Sequence, residues 1–129
     1  MKQSHALIVD DNTGNLDVLG ELLTMCGVTH TKIRNPRTLH DVLPQIPQIH
    51  VIFLDLEMPG ASGFELLRMF KSDARFARVP IVAYTVHISE IDVARTEGFD
   101  GFLAKPLNAD HFPHQLARIL NGQSVWMRV

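Results

Sequence analysis

Four short apolar runs end in polar groups whose types could act together. "ALIVD" (6–10) delivers Asp10, with Asp11 directly behind it. "HVIFLD" (50–55) delivers Asp55, "VPIVAYT" (79–85) delivers Thr85, and "GFLAK" (101–105) delivers Lys105, followed by Pro106. Three crowded carboxylates repel one another, and desolvation adds to the cost. A divalent cation relieves both; hard Mg²⁺ takes oxygen ligands and is commonly held by one or two carboxylates plus phosphate oxygens. Lys105 supplies a compact positive charge, and Thr85 a hydroxyl able to donate to an oxygen of an added group. Such a set suits phosphoryl transfer to a carboxylate, with the metal and the lysine neutralising the charge that develops. Each piece alone has an ordinary explanation. Asp10-Asp11-Asn12 is a favourable start for a helix, Asp55 before "MPG" suits a turn, Lys105 could be a surface lysine and Thr85 a plain strand residue. The joint occurrence at strand ends is what favours chemistry.

Those ends need a scaffold that gathers them. The apolar pattern switches between two periods. Strands are expected at 6–10, 28–34, 50–55, 79–85 and 101–105. Helices are expected at 12–27 (stopped by Gly27), 35–46 (ended by Pro44 and Pro47), 62–72, 89–98 (closed by Gly98), and from near Asp110 to Leu120. Ser62 with Glu65 has capping-box spacing. Pro113 favours an N-cap at Asp110, which keeps the proline inside the first turn, over one at Asn108. Alternating short strands and helices predict an α/β fold: a single doubly wound, five-stranded parallel sheet with helices on both faces. Ligands of such sheets bind beyond the carboxyl ends of the strands, where these side chains fall. Residues 1–122 are expected to form one domain and 123–129 a short tail that docks or frays, with no output domain.

Composition bounds the rest. The 129 residues are 46% apolar and 20% charged, with a formal charge of −2. That balance offers no basic field for direct nucleic-acid binding, and the longest apolar runs are too short for membrane insertion. The N-terminus does not read as a signal peptide, so a cytoplasmic location is expected. The one cysteine, Cys26, reads as a small core or helix-end residue. Of seven histidines, His111 and His114 are expected on a solvated helix face, and His30, His40 and His50 as structural or exposed.

Over about residues 5–121 the chain resembles the receiver domain of two-component response regulators. "IVDDN" (8–12), "FLDLEMPG" (53–60), "PIVAYT" (80–85) and "GFLAKP" (101–106) carry the likeness, in order and each at a strand end. The resemblance implies a flavodoxin-like, CheY-like fold and a phosphorelay role, not a classical enzyme. It makes Asp55 the phosphoacceptor, taking a phosphoryl group from the phosphohistidine of a sensor histidine kinase or phosphotransfer protein. Asp10 and Asp11 would hold Mg²⁺ (or Mn²⁺) together with Asp55 and the backbone carbonyl of Glu57. Lys105 and Thr85 would stabilise the phosphoryl group. Thr85 and Phe102 would form the switch, with Phe102 turning inward from a partly exposed position. The Lys105-Pro106 bond would be cis, and Val86, Glu57 and His87 would tune phosphoryl lifetime. Output would pass to a downstream protein through the face made by the fourth helix, fifth strand and fifth helix, and a homodimer is an open alternative. So is a phosphate shuttle in a relay. Two readings of other classes stand lower. "DLE" (55–57) is superficially similar to aspartate-nucleophile phosphatases of haloacid dehalogenase type, but the Thr expected two residues after the second acid is missing. A flavodoxin-like cofactor binder lacks its phosphate loop, and two acids after "LIV" would repel a phosphate.

Overall fold

Ala6, Leu7, Ile8 and Val9 are all fully buried, as a strand covered on both faces requires. They belong to β1 (His5–Val9), the second strand of a parallel sheet that also contains β2 (Thr29–Ile33), β3 (Val51–Leu54), β4 (Ile81–Thr85) and β5 (Gly101–Ala104). In the computed structural model, which describes residues 3–127, the strand order is β2-β1-β3-β4-β5. The winding direction reverses between β1 and β3, so a crevice opens there at the carboxyl ends.

The helices divide between the two faces. Leu16, Leu19, Leu22 and Leu23 of α1 (Thr13–Met25) join Phe112, Leu116 and Ile119 of α5 (Phe112–Leu120) in one apolar cluster. Leu39 of α2 (Leu39–Val42), Leu66, Leu67 and Phe70 of α3 (Gly63–Lys71), and Ile91 and Ala94 of α4 (Ile91–Glu97) form the other. Alternate β1 residues serve the two sides, Ala6 and Ile8 on the first and Leu7 and Val9 on the second, the period of two that strands impose.

Boundaries shift from the sequence reading where local chemistry competes. The helix expected over 35–46 is only one α-turn, flanked by 3₁₀ turns at Pro36–Thr38 and Leu43–Gln45; Pro36 and Pro44 lie in those turns, where a missing N–H is tolerated. Arg75 braces the end of this segment by donating to the carbonyls of Leu43 and Ile46. The last helix starts at Phe112 with His111 as N-cap, not at Asp110. Asn108 takes over the N-terminal turn, its side chain accepting from the N–H groups of Asp110 and His111. Pro113 still falls in the first turn. Beyond the fifth strand, part of the tail docks: Trp126 forms a parallel bridge with Phe102. Arg128 and Val129, the end of the expected tail, lie outside the described residues.

Candidate functional site

Asp10 and Asp55 meet because β1 and β3 are neighbours in register, Val9 opposite Leu54. The Asp55 N–H donates to the Val9 carbonyl at 3.0 Å, and the Asp10 N–H donates to Ile33 O at 3.1 Å, fixing both strand ends. With Asp11, one carboxylate oxygen from each residue lies within 4.8 Å of the others. Helix capping does not consume these acids. Asn12 is the N-cap of α1 and accepts from the Asn15 N–H at 3.0 Å. Asp10 is fully buried, Asp55 nearly so, and Asp11 is exposed.

Lys105 arrives from the end of β5. Its Nζ is 2.6 Å from Asp10 Oδ2 and 3.6 Å from Asp55 Oδ2, and it sits over the Tyr84 ring at 4.4 Å. The same Asp10 oxygen accepts from the Tyr84 hydroxyl at 2.8 Å, and Asp10 Oδ1 accepts from the Asn12 N–H at 2.9 Å. Burial pushes the Asp10 carboxyl up, but Lys105, Asn12 and Tyr84 more than offset it, and the group stays below the ordinary range. Asp55 has the opposite balance. It is raised to about 6: burial is the largest cause and the Asp10 charge adds to it, only partly offset by Lys105 and by the backbone N–H groups of Glu57 and Leu56. Burial also raises the Tyr84 phenol, with the Asp10 charge adding to it, so it remains a donor. The pair of buried acids is thus split into a well-bonded member whose charged form is favoured and an under-compensated one. A donor set of three carboxylates, with one exposed side for water, fits a hard divalent ion such as Mg²⁺.

Around this centre the remaining residues take distinct places. Thr85 is fully buried, its Oγ1 accepts from the His87 N–H at 3.2 Å, and its carbonyl accepts from the Lys105 N–H at 2.9 Å. Val86 is exposed. His87 Nε2 lies 3.0 Å from Glu57 Oε2, joining the loop after β4 to the loop after β3. Glu57 and Met58 pair with Ala61 and Ser62 in a minute antiparallel hairpin turned at Gly60 (φ 73°). The Lys105-Pro106 peptide is cis. Phe102 is fully buried, not partly exposed: its side chain belongs to the α2–α4 cluster, against which Trp126 also packs.

Two contributors escape motif reading. Tyr84 is the only tyrosine and looks like strand core, yet it is a second side-chain donor to Asp10. Gly63 opens α3 directly behind Asp55. Its N–H donates to the Leu56 carbonyl at 2.9 Å. A Cβ there would collide with the Asp55 carbonyl oxygen and come within 2.8 Å of Leu56 Cα. Gly63→Ala is therefore expected to cost about 1–3 kcal/mol by overpacking, read as a lowered urea midpoint at unchanged slope; a midpoint equal to wild type would show that the backbone yields freely.

The other candidate groups stay apart. Burial raises the Cys26 thiol, which argues against a reactive thiolate. His111, the N-cap of α5, and His114, on that helix, are exposed. His50 Nδ1 accepts from the His5 N–H at 2.9 Å, and burial, followed by the nearby His30 and His50, lowers the His5 imidazole. That group lies at the amino ends of the strands, away from the acids.

Residues 6–117 match the model of the response regulator receiver domain. The chain is 33% identical over 112 residues to stress response regulator protein 1 of Meyerozyma guilliermondii, covering 84% of this chain and 51% of that protein; it thus spans about half the length of that relative. It is 29% identical over 121 residues to the two-component response regulator ORR3 of Oryza sativa, covering 92% and 89% respectively. Among solved structures, the chemotaxis response regulator CheY4 of Vibrio cholerae superposes with a TM-score of 0.80 at 22% identity, covering 92% of this chain and 99% of that one. A CheY-like receiver domain from Methylobacillus flagellatus gives 0.80 at 23% identity, covering 92% and 99%.

Proposed function

The chain belongs to the response regulator receiver domain family, and from that premise we propose that it accepts a phosphoryl group on Asp55 from a phosphohistidine of a sensor histidine kinase or phosphotransfer protein. The observation that carries this reading is the asymmetry of the buried acids: Lys105 and Tyr84 are bonded to Asp10, leaving Asp55 under-compensated. In the transfer, the phosphorus–nitrogen bond of the donor breaks, a phosphorus–oxygen bond to an Asp55 carboxylate oxygen forms, and the imidazole leaves. Asp10, Asp11, Asp55 and the Glu57 carbonyl would hold a divalent ion, which when bound would neutralise phosphoryl charge. Lys105, already 3.6 Å from Asp55, would extend its ammonium to a phosphoryl oxygen. Thr85 would exchange its contact with the His87 N–H for a donated hydrogen bond to another. Glu57, His87 and Val86 ring the approach and would set how readily water reaches the adduct.

The new charge would switch the surface of α4, β5 and α5 that meets a downstream protein. A shuttle role in a relay uses the same site. The phosphatase alternative needs Glu57 as a general acid–base; its carboxylate is instead mostly exposed and tied to His87.

Incubation with Mg²⁺ and acetyl phosphate, followed by intact mass measurement, tests the reading. One phosphoryl addition is expected, lost with chelator and lost in Asp55→Asn. An adduct that survives in Asp55→Asn, or none with an active donor, would refute it.

A further inference from the structure

After α5 the chain turns at Gly122 (φ 81°) and comes back along the outer side of β5. The Phe102 N–H donates to the Val125 carbonyl at 2.7 Å, and the Met127 N–H donates to the Phe102 carbonyl at 2.8 Å. Both outward backbone groups of Phe102 are thereby satisfied by the tail, as in addition of a sixth strand. The side chains follow the strand period. Val125 is buried in the α1–α5 cluster, and Trp126 packs against the α2–α4 cluster to which Phe102 belongs. The Arg95 guanidinium of α4 lies 4.5 Å from the Trp126 ring centroid, a cation–π distance. Gly101 permits the approach: a Cβ there would lie 3.0 Å from the Val125 carbonyl oxygen.

The strand that the tail clamps is only four residues long, and the next residue is Lys105. Movement of β5 therefore moves the ammonium that bonds Asp10 and approaches Asp55. We propose that residues 125–127 form an in-chain latch that fixes β5, and hence Lys105, in the arrangement that stabilises phosphoryl on Asp55, while occupying the α4–β5 surface. The inference rests on the phosphoacceptor reading. Latch closure and phosphoryl binding favour one another, because coupling between two sites is reciprocal. A downstream partner taking this surface must compete with Trp126, by supplying an extended segment to Phe102 and an apolar or aromatic side chain to Arg95.

The full chain with Trp126→Ala tests this, with Trp126→Phe as the conservative control and melting curves to establish that each variant is folded. Binding of beryllofluoride with Mg²⁺, and exchange of the Phe102 amide hydrogen, are measured. The expected results are a loss of about threefold or more in beryllofluoride affinity for Trp126→Ala, amide exchange about tenfold faster, and both restored in Trp126→Phe. Unchanged amide exchange in Trp126→Ala would overturn the latch contact. Faster exchange with wild-type affinity would overturn its coupling to Asp55. Absence of Asp55-dependent beryllofluoride binding in the wild-type chain would overturn the phosphoacceptor reading, and the coupling with it, whatever the amide shows.

Discussion

Lys105→Met is expected to destabilise the protein by about 3–5 kcal/mol, the usual cost of removing one partner from a buried ion pair. Asp10 is fully buried, and the ammonium at 2.6 Å is its only cationic partner among the described residues. Without it, the carboxylate keeps only the Tyr84 hydroxyl and the Asn12 N–H, and its proton affinity rises because desolvation is no longer opposed. Urea unfolding at neutral pH measures the loss. The double variant Asp10→Asn with Lys105→Met should recover most of it, since the orphaned charge is then gone. A cost below about 1 kcal/mol, the scale of a surface pair, would mean that the contact is solvated and that Lys105 is free to serve Asp55 without penalty.

Asp55→Asn is expected to act in the opposite direction on stability while abolishing phosphoryl acceptance. The folded state holds this carboxyl at about 6, above its ordinary 3.8. Between those values the folded chain binds the proton more tightly than the unfolded chain. The resulting stabilisation is present below 3.8 and lost as pH rises through 6. Above that, the ionised carboxylate costs on the order of 1–3 kcal/mol, which the neutral amide avoids. In chelator, thermal melts should place Asp55→Asn above wild type at pH 7.5, and the gap should close towards pH 4. Adding Mg²⁺ should raise wild type more than the variant, by mass action on the folded state. A variant less stable than wild type at pH 7.5 in chelator would show that Asp55 is better compensated than its surroundings indicate. Both experiments probe one arrangement: a single lysine between two buried acids, closer to one than to the other.

Much of this site is legible in the sequence because a parallel sheet puts the last residue of every strand on one edge. Asp10, Asp55, Thr85 and Lys105 need only short apolar runs and a helix between them to be predicted as neighbours. The order in which Lys105 serves its acids is not legible, since it depends on side-chain reach at the ångström scale. Tyr84 escapes for a related reason. Its sequence signature is that of a core aromatic, and only the fold shows its hydroxyl meeting Asp10. Gly63 lies inside a motif-poor helix start, and its need for no side chain comes from a chain segment folded against it. Helix starts are set by local competition for backbone donors. At α5 three candidate N-terminal residues compete, and Asn108 satisfies backbone donors from outside the helix. At 35–46, Pro36 and Pro44 fall in 3₁₀ turns, and the segment between them is too short to hold more than one α-turn. The docking of Trp126 depends on a gap beside Gly101 that no local pattern reveals.

The two margins of the sheet are closed by unlike means. On β2 the margin is defended by composition: Thr29 and Lys32 are exposed, and Lys32 is paired with Asp17 of α1 at 3.0 Å. A charged, polar rim discourages another chain from adding on. On β5 the residues are apolar, "GFLA", and would offer an inviting template; there the chain supplies its own residues 125–127. Under the proposed latch, protection of the sheet edge and signalling would share one piece of backbone. A molecule whose tail has lifted would become, for as long as it stays open, sticky towards any extended peptide, including the tail of a second copy. Loss of the contacts made by residues 125–127 would also remove the guard against sheet-edge self-association.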